Sequence, residues 1–124
     1  MLKEGLKYTS SVVVVSENCA SAVGSGGLDV FATPSMVALM ENAAMNAVAP
    51  YLPDGATTVG CEINTTHVRP SAIGDEIKAT ATLVAVDGRR LAFDVEAFDG
   101  DECIGKGTHV RFIVDANRFM AKVK

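Results

Sequence analysis

The nineteen residues from Phe31 to Ala49 hold a single charged side chain, Glu41, and that stretch limits the folds open to this 124-residue chain. The run reads as a helix. Thr33 is suited to cap its N-terminus through the hydroxyl, and Pro34 to stand at the first helical position, where no N–H is needed. Pro50 ends it, since proline removes a donor and turns the residue before it away from helical geometry. At helical spacing Val37, Glu41, Ala44, Met45 and Val48 share one face, which Met36, Leu39, Met40 and Ala43 widen. Such a helix must be buried on most of its sides. A carboxylate inside it must be paired, hydrogen-bonded or put to use, because an isolated buried charge is very costly.

The periodicity of the remaining chain supplies the cover. Tyr8 to Val15 is a β-branched run that reads as a strand, and Ser16 to Asp29, with Gly24, Gly26 and Gly27, reads as a mobile loop. After the Pro53-Asp54-Gly55 turn, alternation over Thr57 to Val68 sets Val59, Cys61, Ile63, Thr65 and His67 on one inward face. From Glu76 to Val86, Ile77, Ala79, Ala81, Leu83 and Ala85 alternate with Lys78, Thr80 and Thr82. Asp87-Gly88 is a hairpin signal, and Leu91, Phe93, Val95 and Ala97 continue the pattern. Asp99-Gly100-Asp101 turns the chain into Cys103 to Val114, and Asp115 to Val123 reads as a final turn of helix. The expectation is an α+β domain spanning residues 1–124. An antiparallel sheet of about five strands, joined mostly by hairpins, wraps one long buried helix. Open sheet edges beside so apolar a helix predict a homodimer.

Composition excludes several classes. A net charge of −4 gives no broad attraction to nucleic acid or anionic membrane, and no apolar run approaches the roughly 18 residues of a membrane helix. Met1 to Lys7 lacks the apolar core of a signal peptide, so the expected location is cytoplasmic. Cys19, Cys61 and Cys103 are odd in number and unpaired in spacing, which suits free thiols in a reducing compartment. Two distant histidines and no His/Cys cluster imply no metal and no cofactor, and P-loop, dinucleotide and Gly-x-Ser-x-Gly signatures are absent.

The candidate chemistry therefore starts at Glu41. His67, at the end of a strand whose inner face points at the helix, is the natural acid–base companion. Thr33 stands where a helix N-terminus offers free N–H groups and the positive end of its dipole to a developing oxyanion. Gly60, a glycine inside a strand, marks close approach of a ligand to backbone. In Gly105 to Arg111, His109 and Arg111 share one face, read as a solvated face or as an arginine reaching an anionic group. Ile104, Val110, Phe112 and Val114 make the opposite face, read as core. Arg69, Lys78, Arg89, Arg90 and Lys106 are scattered basic residues.

Taken together, Val30 to Glu41, Ala49 to Pro53, Thr65-Thr-His67, Asp87 to Leu91 and Gly105 to Arg111 resemble the hotdog-fold acyl-CoA thioesterases, specifically the fluoroacetyl-CoA thioesterase group. The resemblance runs from Phe31 to Lys122. It implies a hotdog domain, a homodimer with active sites at its interface, and hydrolysis of an acyl-CoA. It implies Thr33, Glu41 and His67 as the catalytic set and Gly60 and Arg111 as substrate-binding residues. Glu41 is then general base or nucleophile, His67 an orienting or protonating group, and Thr33 the donor to the carbonyl oxygen. The departure lies in Ser16 to Asp29, which contains no aromatic residue. The fluoroacetyl-selective enzyme closes aromatic side chains over its acyl group there, so the implied substrate is a more general small acyl-CoA. Two rivals stand beside hydrolysis: a hotdog-type hydratase or dehydratase, in which the His of the fatty-acid type precedes the core helix, and a non-catalytic acyl-thioester binding protein.

Overall fold

A computed structural model describes residues 1–123. Five strands, β1 (Lys7–Val13), β2 (Ala56–Thr65), β3 (Glu76–Asp87), β4 (Arg90–Asp99) and β5 (Glu102–Asp115), form one antiparallel sheet in the order β1-β3-β4-β5-β2. Two of the connections are hairpins, with two-residue loops at Gly88-Arg89 and Gly100-Asp101. The β2 to β3 link is the exception to strands joined mostly by hairpins. Residues 66–75 cross from one side of the sheet to the other, so β1 and β2 are its two edges.

The long helix α2 (Thr33–Val48) packs chiefly on β1 and β3. Met36, Leu39, Met40, Ala43, Ala44, Ala47 and Val48 are buried against Ile77, Ala79, Ala81, Leu83, Leu91, Phe93 and Val95. Burying one such large side chain is worth about 1.5–3 kcal/mol, so this layer is the main source of stability. The helix is not covered all round. Pro34, Ala38 and Asn42, spaced at i, i+4 and i+8, leave an exposed stripe. Glu41 borders that stripe, with 42% of its side chain accessible, and so lies on a flank of the helix and not in its core.

The segment expected to be a mobile loop is held by backbone. It contains a 3-10 turn at Ser16–Asn18 and a single helical turn, α1 (Ala20–Val23). Cys19 bridges to Phe31, and Ala20 N and Ser21 N donate to the carbonyls of Val30 and Leu28. Small residues spaced without period hide such long-range pairing from sequence. At the other end α3 (Ala116–Lys122) is capped by Asp115, whose side chain accepts from Arg118 N. Among the described residues no helix is long and apolar enough to cross a membrane.

Candidate active site

The N-cap of α2 is Ala32, in extended conformation, and Thr33 is the first helical residue. That corrects the expected cap and frees the Thr33 hydroxyl. It hydrogen-bonds His67 Nδ1 at 2.7 Å. His67 lies just past β2, which stops at Thr65 and not at Val68, in a stretch still tied to β5 through Thr66 N to Lys106 O and Val68 N to Ile104 O. Burial holds the His67 imidazole below the ordinary histidine range, only partly opposed by the Arg69 backbone. Its Nε2 is buried and has no hydrogen-bond partner among the described residues. A cleft of about 280 Å³ opens beside this pair, lined among others by Ala20, Ser25, Val30, Phe31 and Arg69. Arg69, at its edge, also stands 3.6 Å from Glu102.

Glu41 belongs to a second cluster. Its Oε2 is 3.9 Å from Arg111 Nη1, the outer limit of an ion pair. A Cβ added to Gly60 would stand 2.7 Å from the same oxygen, 3.1 Å from His109 Cε1 and 3.3 Å from Arg111 Nη1. Gly60 thus has no side chain because three functional groups occupy the space. Within the chain, then, Thr33 and His67 meet, and Glu41, Gly60 and Arg111 meet. Thr33 and Glu41 are eight positions apart on one helix, or about 12 Å along its axis.

Two face assignments are overturned here. A bulge between Gly60 and Glu62 breaks the alternation of β2, so Val59 and Cys61 do not share a face with Ile63 and Thr65. On the inner side stand Thr58, buried, and Gly60. In β5 the inner face is Gly105, Gly107, His109 and Arg111. A Cβ on Gly105 would press into Met36 of α2, and His109 and Arg111 are 1% and 6% exposed. Phe112, assigned to the core by pattern, is 37% exposed. Polar residues took the inward positions because they serve a buried polar cluster, which binary patterning cannot anticipate. Arg111 is fixed by Nε to Thr58 Oγ1 and Nη2 to Thr58 O, both at 2.8 Å. Burial pulls its pKa down and Glu41 pulls it back up. No pattern in the sequence singles out Thr58. The Gly-x-Gly-x-His-x-Arg alternation was the available signal for His109.

The model of the fluoroacetyl-CoA-specific thioesterase family matches residues 14–117. The chain belongs to this family. It is 45% identical over 96 residues, 77% of its length and 69% of the relative's, to the fluoroacetyl-CoA thioesterase of Streptantibioticus cattleyicolor. The solved structure of the fluoroacetyl-CoA thioesterase FlK superposes with a TM-score of 0.93 at 36% identity, covering 99% of this chain and 96% of that one. A hot-dog-like protein from Thermanaerovibrio acidaminovorans, 21% identical, covers 97% of this chain and 89% of its own at a TM-score of 0.87. The fold is accordingly the hotdog fold, with the sheet curled about α2, and this family member is a thioesterase. The resemblance drawn from the five sequence segments is borne out.

Proposed function

We propose that the protein hydrolyses small acyl-CoA thioesters to free acid and CoA, at sites shared between two copies of the chain. The separation along α2 carries this reading. A group beside Thr33 and a group beside Glu41, about 12 Å apart, cannot both touch one thioester carbonyl within a single subunit. Both clusters flank β2, which has a free edge. Antiparallel pairing of two β2 edges carries the Thr33–His67 pair of one subunit toward Glu41 of the partner subunit, and covers the exposed flank of that carboxylate. Residue types fit the division of labour. The α2 N-terminus has free N–H groups and a positive dipole end, and with the Thr33 hydroxyl these hold the carbonyl oxygen and its tetrahedral oxyanion. Glu41 takes a proton from water or attacks the thioester carbon itself. His67 orients Thr33, and the thiolate departs as such or takes up the proton that Glu41 drew from water. Gly60 and Arg111 keep the carboxylate and the acyl group close to backbone. The three unpaired cysteines suit work in a reducing cytoplasm.

Selectivity follows from the cleft. Ala20, Ser25 and Val30 are small, Phe31 lies deep, and Ser16 to Asp29 offers no aromatic side chain to close over the acyl group. One methylene in such a pocket is worth only about 1–3 kcal/mol, so acetyl-CoA and somewhat larger acyl-CoAs should be cleaved with comparable kcat/KM and without strong preference for fluoroacetyl-CoA. A thiol-trapping assay across an acyl-CoA panel checks this, and a thousandfold fluoroacetyl preference removes it.

Subunit complementation tests the shared site. Thr33→Val and Glu41→Gln homodimers should each be nearly inactive. When they are unfolded and refolded together, half the dimers are mixed and each mixed dimer has one intact site. About a quarter of wild-type activity should return by random pairing. No recovery in verified heterodimers means that each site is built within one subunit.

A further inference from the structure

His109 and Arg111 do not merely share a strand face; each determines the state of the other. His109 Nδ1 is 2.8 Å from the carbonyl oxygen of Glu62, and its Nε2 is 3.2 Å from Arg111 Nη1. A carbonyl only accepts and a guanidinium only donates. The ring must therefore carry its proton on Nδ1 and its lone pair on Nε2, which makes it neutral. The charged and titratable groups facing it are Arg111 on its own strand and Glu41 from α2, with the Cys61 thiol of β2 acting on Arg111. From β4 it meets the uncharged ring of Phe93, centroids 6.1 Å apart. Burial holds the imidazole below the ordinary histidine range against the pull of the Glu62 carbonyl. The Arg111 charge adds to that lowering and Glu41 opposes it.

With Nε and Nη2 held by Thr58, the rigid planar guanidinium keeps only a tilt about that edge, and the tilt sets where Nη1 lies. That nitrogen has two hydrogens. His109 accepts one and so fixes the tilt, which leaves Nη1 beside Glu41 and the space over Gly60. We propose that His109 is a positioning residue for hydrolysis, a neutral acceptor that aims Arg111 Nη1 at Glu41. The proposal rests on Glu41 and Arg111 belonging to the active site. Protonating His109 would set an N–H against an N–H and a second cation against the guanidinium, and so release that aim.

The dimeric enzyme serves for the test. Nitrogen-15 shifts of the His109 ring should report the Nδ1–H tautomer at neutral pH, persisting below the usual midpoint of about 6.5. His109→Leu keeps the volume and loses the acceptor, leaving a buried cationic donor unmatched. Its kcat should fall roughly ten- to hundredfold with KM little changed. His109→Gln offers an amide oxygen to Arg111 and does not titrate. It should recover most of that kcat and remove one proton from the acid limb of the pH profile. Full kcat in His109→Leu, with Glu41→Gln inactive, overturns the positioning role and leaves the site intact. Full activity in Glu41→Gln overturns the site on which the proposal rests. An Nε2–H tautomer or an imidazolium at neutral pH overturns the proposal whether or not either variant folds.

Discussion

β3 and β5 lie on either side of β4 and turn one face to the inner side of the sheet, yet only β3 is written as a core strand should be. Its inner residues Ile77, Ala79, Ala81 and Leu83 are all fully buried and apolar. Those of β5 are Gly105, Gly107, His109 and Arg111, with Val110 and Phe112 turned to the other face. The first strand meets α2 by hydrophobic contact; the second reaches it through Gly105 against Met36 and one ion pair, Arg111 with Glu41, while its side-chain hydrogen bonds run to β2. Apolar packing and a buried polar cluster thus fall on different strands of one sheet, and the second pays a desolvation penalty that only a fully partnered network offsets.

Four substitutions or conditions can break or sharpen that contrast. Glu41→Gln should give the largest effect, a loss of about 10²–10⁴ in kcat for a lost base, with the melting temperature nearly unchanged. Activity within a few-fold of wild type would make Glu41 structural. Leu83→Ala on the β3 side should do the reverse, costing about 2–5 kcal/mol of stability by leaving a cavity. Denaturant titration reads the loss, and kcat per folded molecule should hold. If kcat collapsed with it, the two strands would not be separable.

Gly60→Ala comes next, because the added carbon must displace the Glu41 carboxylate or the His109 ring. A shift of up to an ångström at a reacting group costs on the order of ten- to a hundredfold in rate. An unaffected kcat would show that the carboxylate moves aside freely.

The smallest effect concerns pH. His67 and His109 both have lowered pKa values in the folded chain, with burial the chief cause. Above about 6.5, the ordinary midpoint, they are neutral folded and unfolded and contribute no pH dependence. As pH falls below that midpoint the unfolded chain binds protons that the folded one refuses, so stability drops toward the folded pKa values. Thermal melts from pH 8 to 5 should decline below about 6.5 for wild type and less steeply for His109→Gln. Equal slopes would mean that His109 titrates normally.

Much of the fold was legible because β3, β4 and α2 obey their periods. Ile77 to Leu83 and Leu91 to Ala97 alternate cleanly, and a nineteen-residue apolar run closed by prolines has few alternatives to a helix. Thr33, Glu41 and His67 stood out for the same reason, as polar residues in apolar settings. Three things were not legible. The bulge at Cys61 shifts the register of β2 by one residue, and a single shift moves every later side chain to the other face. From Gly107 to Phe112 the inward turn of β5 contradicts its hydrophobicity, although Ile104 is buried in the core as the pattern reads. The bridge from Cys19 to Phe31 joins residues whose local sequence calls for no structure.

By itself, then, the sequence determined the elements, the antiparallel sheet around one helix, and the polar residues worth watching, since each follows from local periodicity and the cost of an unpaired charge. Only the tertiary structure decided which of those residues meet. Thr33 found His67 and Glu41 found Arg111, because partnership across the sheet depends on register, and register is the sum of contacts far apart in the chain.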